Sequence, residues 1–291
     1  MRPSPLSLPL SLFLFLAAAL LHGPGARADA PPVYVLKGDF ANAAVYITVN
    51  GIPVWATDTG GEVKAVQAIN TYLKPGLNDV GIAIRKAGTG HKPRLGLLIG
   101  VLPSADAEEM SAVVFRLGDK GAPTLPFDHH IDLDVAAFPM LDFWRAEEVT
   151  PDLVAEEAIA ADLKRIEDAL KVAADKRDAA GIADAMLSGS AGSDLERAMG
   201  EAMAAQTRGD ITGAAELGFK QTGVAIRTHP AARAGQLVIE PITTRHVRVR
   251  RAGGGPLTGL IFTPKEKAEF GLFIEAPIYG RVDGKWRLLR N

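Results

Sequence analysis

Apolar and polar residues alternate with a period of two along much of the first half of the chain. Val45, Ile47 and Val49 are separated by Tyr46 and Thr48, which is the alternation of a strand with one buried face. Val33–Leu36 is predicted to be a first strand, and the apolar pattern resumes in Ile52–Trp55. The same alternation recurs in four further segments: Val80–Ile84, Leu95–Val101, Val113–Leu117 and Ile131–Val135. About seven half-buried strands with turn residues between them predict an antiparallel β-sandwich.

Two turn signals organise the middle of this region. Asn50-Gly51 stands between two of the strands, and both residue types accept the positive φ of a tight hairpin turn. Pro75-Gly76 marks a second turn, directly before the strand that ends at Ile84. The stretch between the two strands is predicted to be a loop.

The second half of the chain begins with a helical period. Apolar residues three and four positions apart form one face: Ile159, Leu163, Ile166, Leu170 and Ala173. This spacing predicts an amphipathic helix. Thr150-Pro151-Asp152 supplies a hydroxyl cap, a first-turn proline and an acid, which together predict the helix start. Glu156, Glu157 and Asp162 are expected on the polar outside of this helix.

Two more helices follow. Gly181 is expected to interrupt the first helical region, with a short second helix over Ile182–Leu187. Ser193 or Asp194 is a suitable N-cap for a third helix that carries Leu195, Met199 and Met203.

From Gly223 the period returns to two. The predicted strands are Val224–Thr228, Gln236–Glu240, Arg245–Arg250, Thr258–Phe262, Leu272–Ile278 and Trp286–Leu289. Asp283-Gly284 between Tyr279–Val282 and Lys285–Leu289 predicts a two-residue hairpin. Helices followed by an antiparallel meander predict an α+β domain.

The composition changes near residue 140, where Phe138–Trp144 is aromatic and apolar. We interpret this segment as the bridge between two domains. The sequence therefore predicts a β-sandwich over residues 31–141 and an α+β domain over residues 142–291.

Two segments resemble known families. "VNG" followed by "INTYLKPGLNDVGIAI" resembles the jelly-roll, galactose-binding-like sandwich found beside β-galactosidase-type glycosidases. The matching residues are turn formers and core apolar residues, so the resemblance implies a β-sandwich and no sugar site. The ending "IYGRVDGKWRLLRN" resembles the last hairpin of the nuclear transport factor 2-like (NTF2-like) fold, which implies helices packed on an antiparallel sheet. Cystatin-like and other helix-on-sheet folds stay open.

Residues 1–30 predict a cleaved signal peptide. Arg2 precedes an apolar run over Leu6–Leu21, and Ala26-Arg27-Ala28 and Ala28-Asp29-Ala30 both fit a small-x-small cleavage pattern. We expect cleavage after Ala28 or Ala30 and a periplasmic or secreted protein. No later segment is apolar enough to predict a transmembrane helix.

The amino-acid composition limits the classes of partner to be expected. Hydrophobic residues make up 47% and charged residues 23% of the chain, as in ordinary globular proteins. Cleavage after Ala28 would leave 30 basic and 34 acidic residues, which argues against nucleic acid as a partner. The chain has no cysteine, so packing alone must hold the exported fold.

Asp128, His130, Asp132 and Asp134 are the candidate metal ligands, because they share one face of a predicted strand. The apolar alternation of Ile131, Leu133 and Val135 already explains the segment as a half-exposed strand with a solvated acidic face. We therefore predict no tightly bound metal and no cofactor.

A basic strand supplies the candidate binding residues. His246, Arg248 and Arg250 are expected on one face, opposite Val247 and Val249, with Arg245 at the strand start. Guanidinium groups in this arrangement suit an anionic ligand or an acidic partner. The alternative is a solvated face that discourages edge pairing.

Catalytic signatures are scarce. Gly189-Ser190-Ala191-Gly192 lacks the spacing of a nucleophile elbow, and the sequence holds no phosphate-binding loop. Enzymes of the NTF2-like family carry their chemistry inside the cone, and the resemblance makes Glu240 and Glu275 the sheet acids to consider there.

Three functions are consistent with these sequence features. The preferred one is an exported, non-enzymatic protein that binds another protein. The second is a small-molecule enzyme or carrier with a pocket in the C-terminal domain. The third is a carbohydrate-binding module, for which Trp55 is the only tryptophan of the predicted sandwich.

Overall fold

A computed structural model describes ten stretches of the chain: residues 32–57, 62–86, 93–103, 107, 109–117, 124–135, 138–149, 156–188, 191–265 and 268–290, without the side chains of 202 and 203. Within them the protein is mostly β, with fifteen strands in four antiparallel sheets and a few helices. The predicted signal peptide, the helix start at Thr150-Pro151-Asp152 and the Gly189-Ser190 dipeptide lie outside the described residues.

The chain divides into two compact units. The described part of the first unit comprises residues 32–144 and 196–202, and that of the second comprises residues 145–195 and 203–290. Each unit is described by itself below. Whether the two predicted domains fold independently stays a prediction.

The first unit contains eight strands in two four-stranded sheets. The strands are β1 Val33–Ala41, β2 Ala43–Val49, β3 Ile52–Thr57, β4 Val63–Ala68, β5 Gly76–Lys86, β6 Arg94–Leu102, β7 Ala112–Leu117 and β8 Phe127–Val135. One sheet has the order β4-β1-β6-β7 and the other β3-β2-β5-β8. Phe40 of β1 packs edge-to-face on Trp55 of β3, with ring centroids 5.4 Å apart, so apolar side chains of both sheets share a core.

The alternation in the sequence places most core residues of this unit correctly. Val45, Ile47 and Val49 are buried and Tyr46 is exposed, as the pattern predicts. Val101 departs from the pattern, because the register of β6 with β7 shifts between Ile99 and Gly100. The predicted loop between β3 and β5 contains β4 and a short 3₁₀ helix, Asn70–Tyr72.

Asparagine side chains hold the turns of the first unit. The Asn50-Gly51 turn has φ of 53° and 77°, which confirms the predicted hairpin. The Nδ2 of Asn50 donates to the carbonyl of Tyr72 at 3.0 Å and to the Oδ1 of Asn78 at 2.8 Å. Asn78 is fully buried, and its amide also bonds the backbone of Lys74 and Gly76 at 2.8–2.9 Å. The two predicted turns are therefore joined by side-chain hydrogen bonds.

The aromatic segment before residue 145 packs on the first unit. Phe143 lies edge-to-face on Tyr72, with centroids 6.3 Å apart, and the Nε1 of Trp144 donates to the carbonyl of Leu73 at 2.7 Å. These residues form the short helix α1, Asp142–Arg145.

The second unit combines helices with two sheets. Its helices are α2 Glu156–Asp175, α3 Ala179–Met186 and α4 Ala191–Phe219, and residues 196–202 of α4 belong to the first unit. Its strands are β9 Ala225–His229, β10 Leu237–Pro241, β11 His246–Arg251, β12 Thr258–Thr263, β13 Phe270–Ile274, β14 Ile278–Val282 and β15 Lys285–Arg290. The sheet orders are β10-β11-β14-β15 and β13-β12-β9.

Helix α2 covers the apolar core of the second unit. Its buried residues are the five predicted ones: Ile159, Leu163, Ile166, Leu170 and Ala173. They pack in one cluster with strand residues such as Val247, Val249 and Leu260. The predicted Asp283-Gly284 hairpin is also confirmed, with φ of 50° and 72°.

Four details of the second unit contradict the sequence interpretation. Ser193 and Asp194 do not cap the third helix, because α4 already begins at Ala191. Gly181 does not interrupt a helix, because α3 starts at Ala179, where Asp178 caps it by accepting from the Gly181 amide at 2.9 Å. The predicted strand Leu272–Ile278 is two strands in different sheets, separated at Pro277, which has no amide proton for a ladder. Asp162 is not on the polar outside, because its side chain is only 13% exposed.

Candidate functional site

The outer side of the sheet β10-β11-β14-β15 carries the basic residues singled out in the sequence. Val247 and Val249 of β11 point into the core cluster, so Arg248 and Arg250 lie on the other side. Glu240 of β10 is paired in register with Arg248, and Val238 with Arg250. We call the surface formed by Val238, Glu240, Arg248 and Arg250 the basic face.

Glu240 partly neutralises the basic face. The carboxylate of Glu240 accepts from the guanidinium of Arg250, and the two side chains are 40% and 53% exposed. Among the residues that the structure describes, Arg248 has no ion-pair partner. Because Arg248 also stands next to Glu240, the face holds two guanidinium groups around one carboxylate and has a net positive charge.

His246 does not lie on this exposed face, contrary to the prediction from alternation. Its side chain is fully buried, although it follows the same strand period as Arg248. The Oγ1 of Thr243 accepts from the amides of Arg245 and His246 at 3.1 and 3.2 Å and lies 2.8 Å from the Nδ1 of His246. Since the hydroxyl oxygen already accepts twice, its proton points to Nδ1, which assigns the ring proton to Nε2. His246 therefore has a structural role.

Arg245 lies just before β11 and is also engaged locally. Its Nη1 donates to the carbonyl of Ala146 at 3.1 Å, and its Nη2 lies 3.6 Å from a carboxylate oxygen of Glu148. It anchors the segment that enters the second unit, so it contributes little to an open anion site.

The two sheet acids considered for catalysis belong to different elements. Glu240 is the ion-paired residue of the basic face. Glu275 is not in a strand: it is exposed and follows the end of β13 at Ile274. Only Glu240 of the two is therefore part of the basic face.

The candidate metal ligands lie on β8 with their side chains exposed. The Nδ1 of His130 is 2.8 Å from the Oδ1 of Asp79 on β5, and the Nη2 of Arg85 is 2.7 Å from the Oδ1 of Asp128. The hydrogen bond and negative charge of Asp79 raise the pKa of His130 above its ordinary value, with smaller contributions from Asp128 and Asp132.

Because of these contacts, two of the four candidate ligands on β8 are already paired with side chains of β5. Asp132 and Asp134 stay exposed. Asp128 is ion-paired with Arg85, and His130 lies within hydrogen-bond distance of Asp79. Among the described residues, no group of three His, Asp or Glu side chains is arranged to hold a metal ion.

A charge segregation in the second half of the chain was missed at the sequence level. The sequence of residues 146–219, within which helices α2 to α4 lie, holds 7 Lys and Arg against 16 Asp and Glu, whereas that of residues 220–291, within which strands β9 to β15 lie, holds 13 against 5. A charge count in separate windows would have found it. The strand region is therefore net basic and the helical region net acidic.

A buried tyrosine was also missed. Tyr279 of β14 is fully buried, and its hydroxyl donates to the Oδ2 of Asp162 on α2 at 3.1 Å. Burial and the nearby carboxylate raise the pKa of Tyr279 well above its ordinary value. The pair ties α2 to the sheet.

Within the described residues, no helix has the length and apolar character needed to cross a membrane. Comparison with protein-family models, with curated proteins and with solved structures gives no match for this chain.

Proposed function

We propose that this chain is an exported, non-enzymatic interaction protein that recognises an acidic surface of another protein through its basic face. The observation that carries the proposal is the pair Arg248 and Arg250 on the solvent side of β11, with Glu240 as the single carboxylate between them. Guanidinium groups form strong, directional hydrogen bonds with carboxylates.

The surroundings of this pair support the same partner. The strands of the second unit carry the basic excess described above, and a field of one sign accelerates and orients binding of the opposite sign. Val238 is 39% exposed next to Arg250 in register, so an apolar contact is present beside the charges. Interfaces commonly combine arginine with such apolar contacts.

We also propose the finer fold assignment. The Phe40–Trp55 contact between two four-stranded sheets supports a β-sandwich of the galactose-binding-like kind in the first unit. The packing of α2 against β9, β12 and β15 supports an α+β, NTF2-like arrangement in the second.

Export is proposed from residues 1–30. The apolar run and the small residues at Ala28 and Ala30 support a cleaved signal and a periplasmic or secreted location. N-terminal sequencing of the exported protein should give Asp29 or Pro31 as the first residue. Retention of Met1 in a membrane fraction would contradict this expectation.

The function is tested by capturing partners from the exported fraction. The bait variant Arg248→Gln/Arg250→Gln should lose the partner that the parent bait retains, because both charges are removed at nearly constant size. The control Arg233→Gln/Lys265→Gln removes two charges at exposed positions outside the basic face and should retain it. Equal capture by all three baits would overturn the proposal.

A further inference from the structure

The connection between β9 and β10, residues 230–236, is held in place by side chains of the first long helix. We call this connection the strap. The Oε2 of Glu167 on α2 accepts from the amide of Ala231 at 3.2 Å, and the Oε2 of Glu156 accepts from the amide of Gly235 at 2.9 Å. Two carboxylates of α2 therefore anchor the strap near both of its ends.

The strap is also bonded to the strands of the second unit. The Nη2 of Arg251 at the end of β11 donates to the carbonyl of Pro230 at 2.7 Å, and its Nε donates to the carbonyl of Pro256 at 2.7 Å. The amide of Ala232 donates to the carbonyl of Leu257 at 2.8 Å. Arg251 thus joins the start of the strap to the segment before β12.

A half-buried histidine stands where β9 ends and the strap begins. The Nδ1 of His229 lies 3.2 Å from the carbonyl of Pro230, which is the carbonyl that also accepts from Arg251. Because a carbonyl oxygen only accepts, Nδ1 carries the proton of the neutral ring and Nε2 is unprotonated. A second proton, on Nε2, would make the ring a cation directly beside the Arg251 guanidinium.

The groups around this ring oppose its protonation. Arg251 of β11 and Arg227 of β9 are the cations that act on it, Glu167 of α2 is the carboxylate, and Phe273 of β13 packs edge-to-face on the ring with centroids 6.2 Å apart. Burial first, and the positive charge of Arg251 next, lower the pKa of His229 below its ordinary value of 6.5. The closed strap therefore disfavours the charged ring.

We propose that the strap opens when the His229 ring becomes charged, so that pH controls the entrance to β10. An opened strap exposes the ring, which then binds its proton near the ordinary pKa of 6.5, whereas the closed strap binds it only at lower pH. The closed state is therefore fully favoured above that value and loses population as the pH falls below it.

The consequence reaches the neighbouring strand. The strap ends directly before β10, which carries Val238 and Glu240 of the basic face, so opening frees one border of that face. The inference goes beyond the proposed function, because the opening of the strap is measured without any partner.

The test is hydrogen exchange of the full chain at about pH 7.5 and about pH 5.5. The results are compared as protection factors, which remove the intrinsic pH dependence of amide exchange. The protection of the strap amides, such as those of Ala231 and Gly235, should fall about fivefold or more at the lower pH. The protection of β12 should stay unchanged. Equal protection of the strap at both pH values would overturn the proposal.

Three variants separate the proton from the other anchors. His229→Gln cannot take up the proton, so the protection of its strap should be the same at both pH values. Glu156→Ala removes an anchor and leaves the ring, so it should lower the protection at both pH values and keep the pH dependence. The matched control His130→Gln changes an exposed histidine of the first unit and should behave like the parent. A pH dependence that survives in His229→Gln would overturn the proposal.

Discussion

The two units of this chain use their polar residues differently. In the first unit, buried amides such as Asn70 and Asn78 bond backbone groups, and exposed charges such as Arg94 and Asp39 pair with each other. In the second unit, acidic residues dominate the helices and basic residues dominate the strands. Buried amides thus hold the turns of the first unit, whereas the second unit concentrates acidic residues in its helical region and basic residues in its strand region, although many of these charges also form ion pairs.

This difference suggests a division of roles. A unit whose polar groups bond each other gains a defined fold but offers little net field to a partner. Segregated charge does not add much stability, because exposed charges contribute little individually, yet it steers and selects partners. We therefore attribute stability in the first unit to its amide network, and the proposed recognition to the basic face of the second unit.

The largest expected effect comes from removing Asn78. Asn78→Ala would remove one of the two hydrogen bonds of the Asn50 Nδ2 and the side-chain partners of the Lys74 and Gly76 backbone groups, which should cost about 3–5 kcal/mol. Denaturant unfolding measures the cost. Hydrogen exchange on the full chain should show faster exchange in β2 and β5 and unchanged exchange in β10 and β11.

The control for Asn78 is its neighbour Leu77, which is 61% exposed. Leu77→Ala should cost less than about 0.5 kcal/mol. Similar losses for both variants would show that the amide network is not the source of stability in the first unit.

A smaller effect is expected at the hairpin of the second unit. Gly284 has φ of 72°, and a Cβ there would meet only the Nη2 of Arg281 at 3.9 Å, so a side chain adds backbone strain without a clash. Gly284→Val should cost about 1–3 kcal/mol, and Lys285→Ala less than about 0.5 kcal/mol. Unchanged unfolding midpoints for Gly284→Val would mean that the turn does not constrain this unit.

An effect of opposite sign is expected at Gly209. This residue is exposed within α4, and a Cβ there would have no neighbour within 4 Å. Gly209→Ala should stabilise the protein by about 0.5–1 kcal/mol, because alanine is the better helix former. A midpoint below that of the parent would argue against a continuous helix at this position.

The smallest effect is expected for the pair formed by His130 and Asp79 in the first unit. The pKa of His130 is raised by Asp79, so the pair stabilises the fold below the ordinary pKa of about 6.5 and loses this contribution as pH rises through the raised value. An NMR titration of the His130 ring should give a pKa above 6.5, and Asp79→Asn should lower it. Asp134→Asn is the matched control, and an equal shift in both variants would exclude a specific pair.

Periodicity predicted the parts of the fold that depend on local sequence. The α2 stripe and the Asn50-Gly51 and Asp283-Gly284 turns follow from residues close together in the chain. The strand β4 was missed because Val63–Ala68 alternates weakly, and its partner β1 lies far away in sequence.

The site was harder to predict than the fold. Alternation placed Arg248 and Arg250 on the side opposite the core, but it could not show that His246, two residues earlier, is covered. That burial depends on tertiary packing. The hydrogen bond between Asn50 and Asn78 could not be predicted either, because it joins two turns that lie far apart in the sequence.

The most direct test of the division of roles is the binding of fluorescein-labelled poly-L-glutamate to the full chain over a range of salt concentrations. We predict that Arg248→Gln/Arg250→Gln weakens binding about tenfold or more, near 1.4 kcal/mol, and reduces its salt dependence. Arg233→Gln/Lys265→Gln and Asn78→Ala should bind like the parent under conditions where they are folded. Equal affinity and equal salt dependence of the parent and the Arg248/Arg250 variant would contradict this prediction.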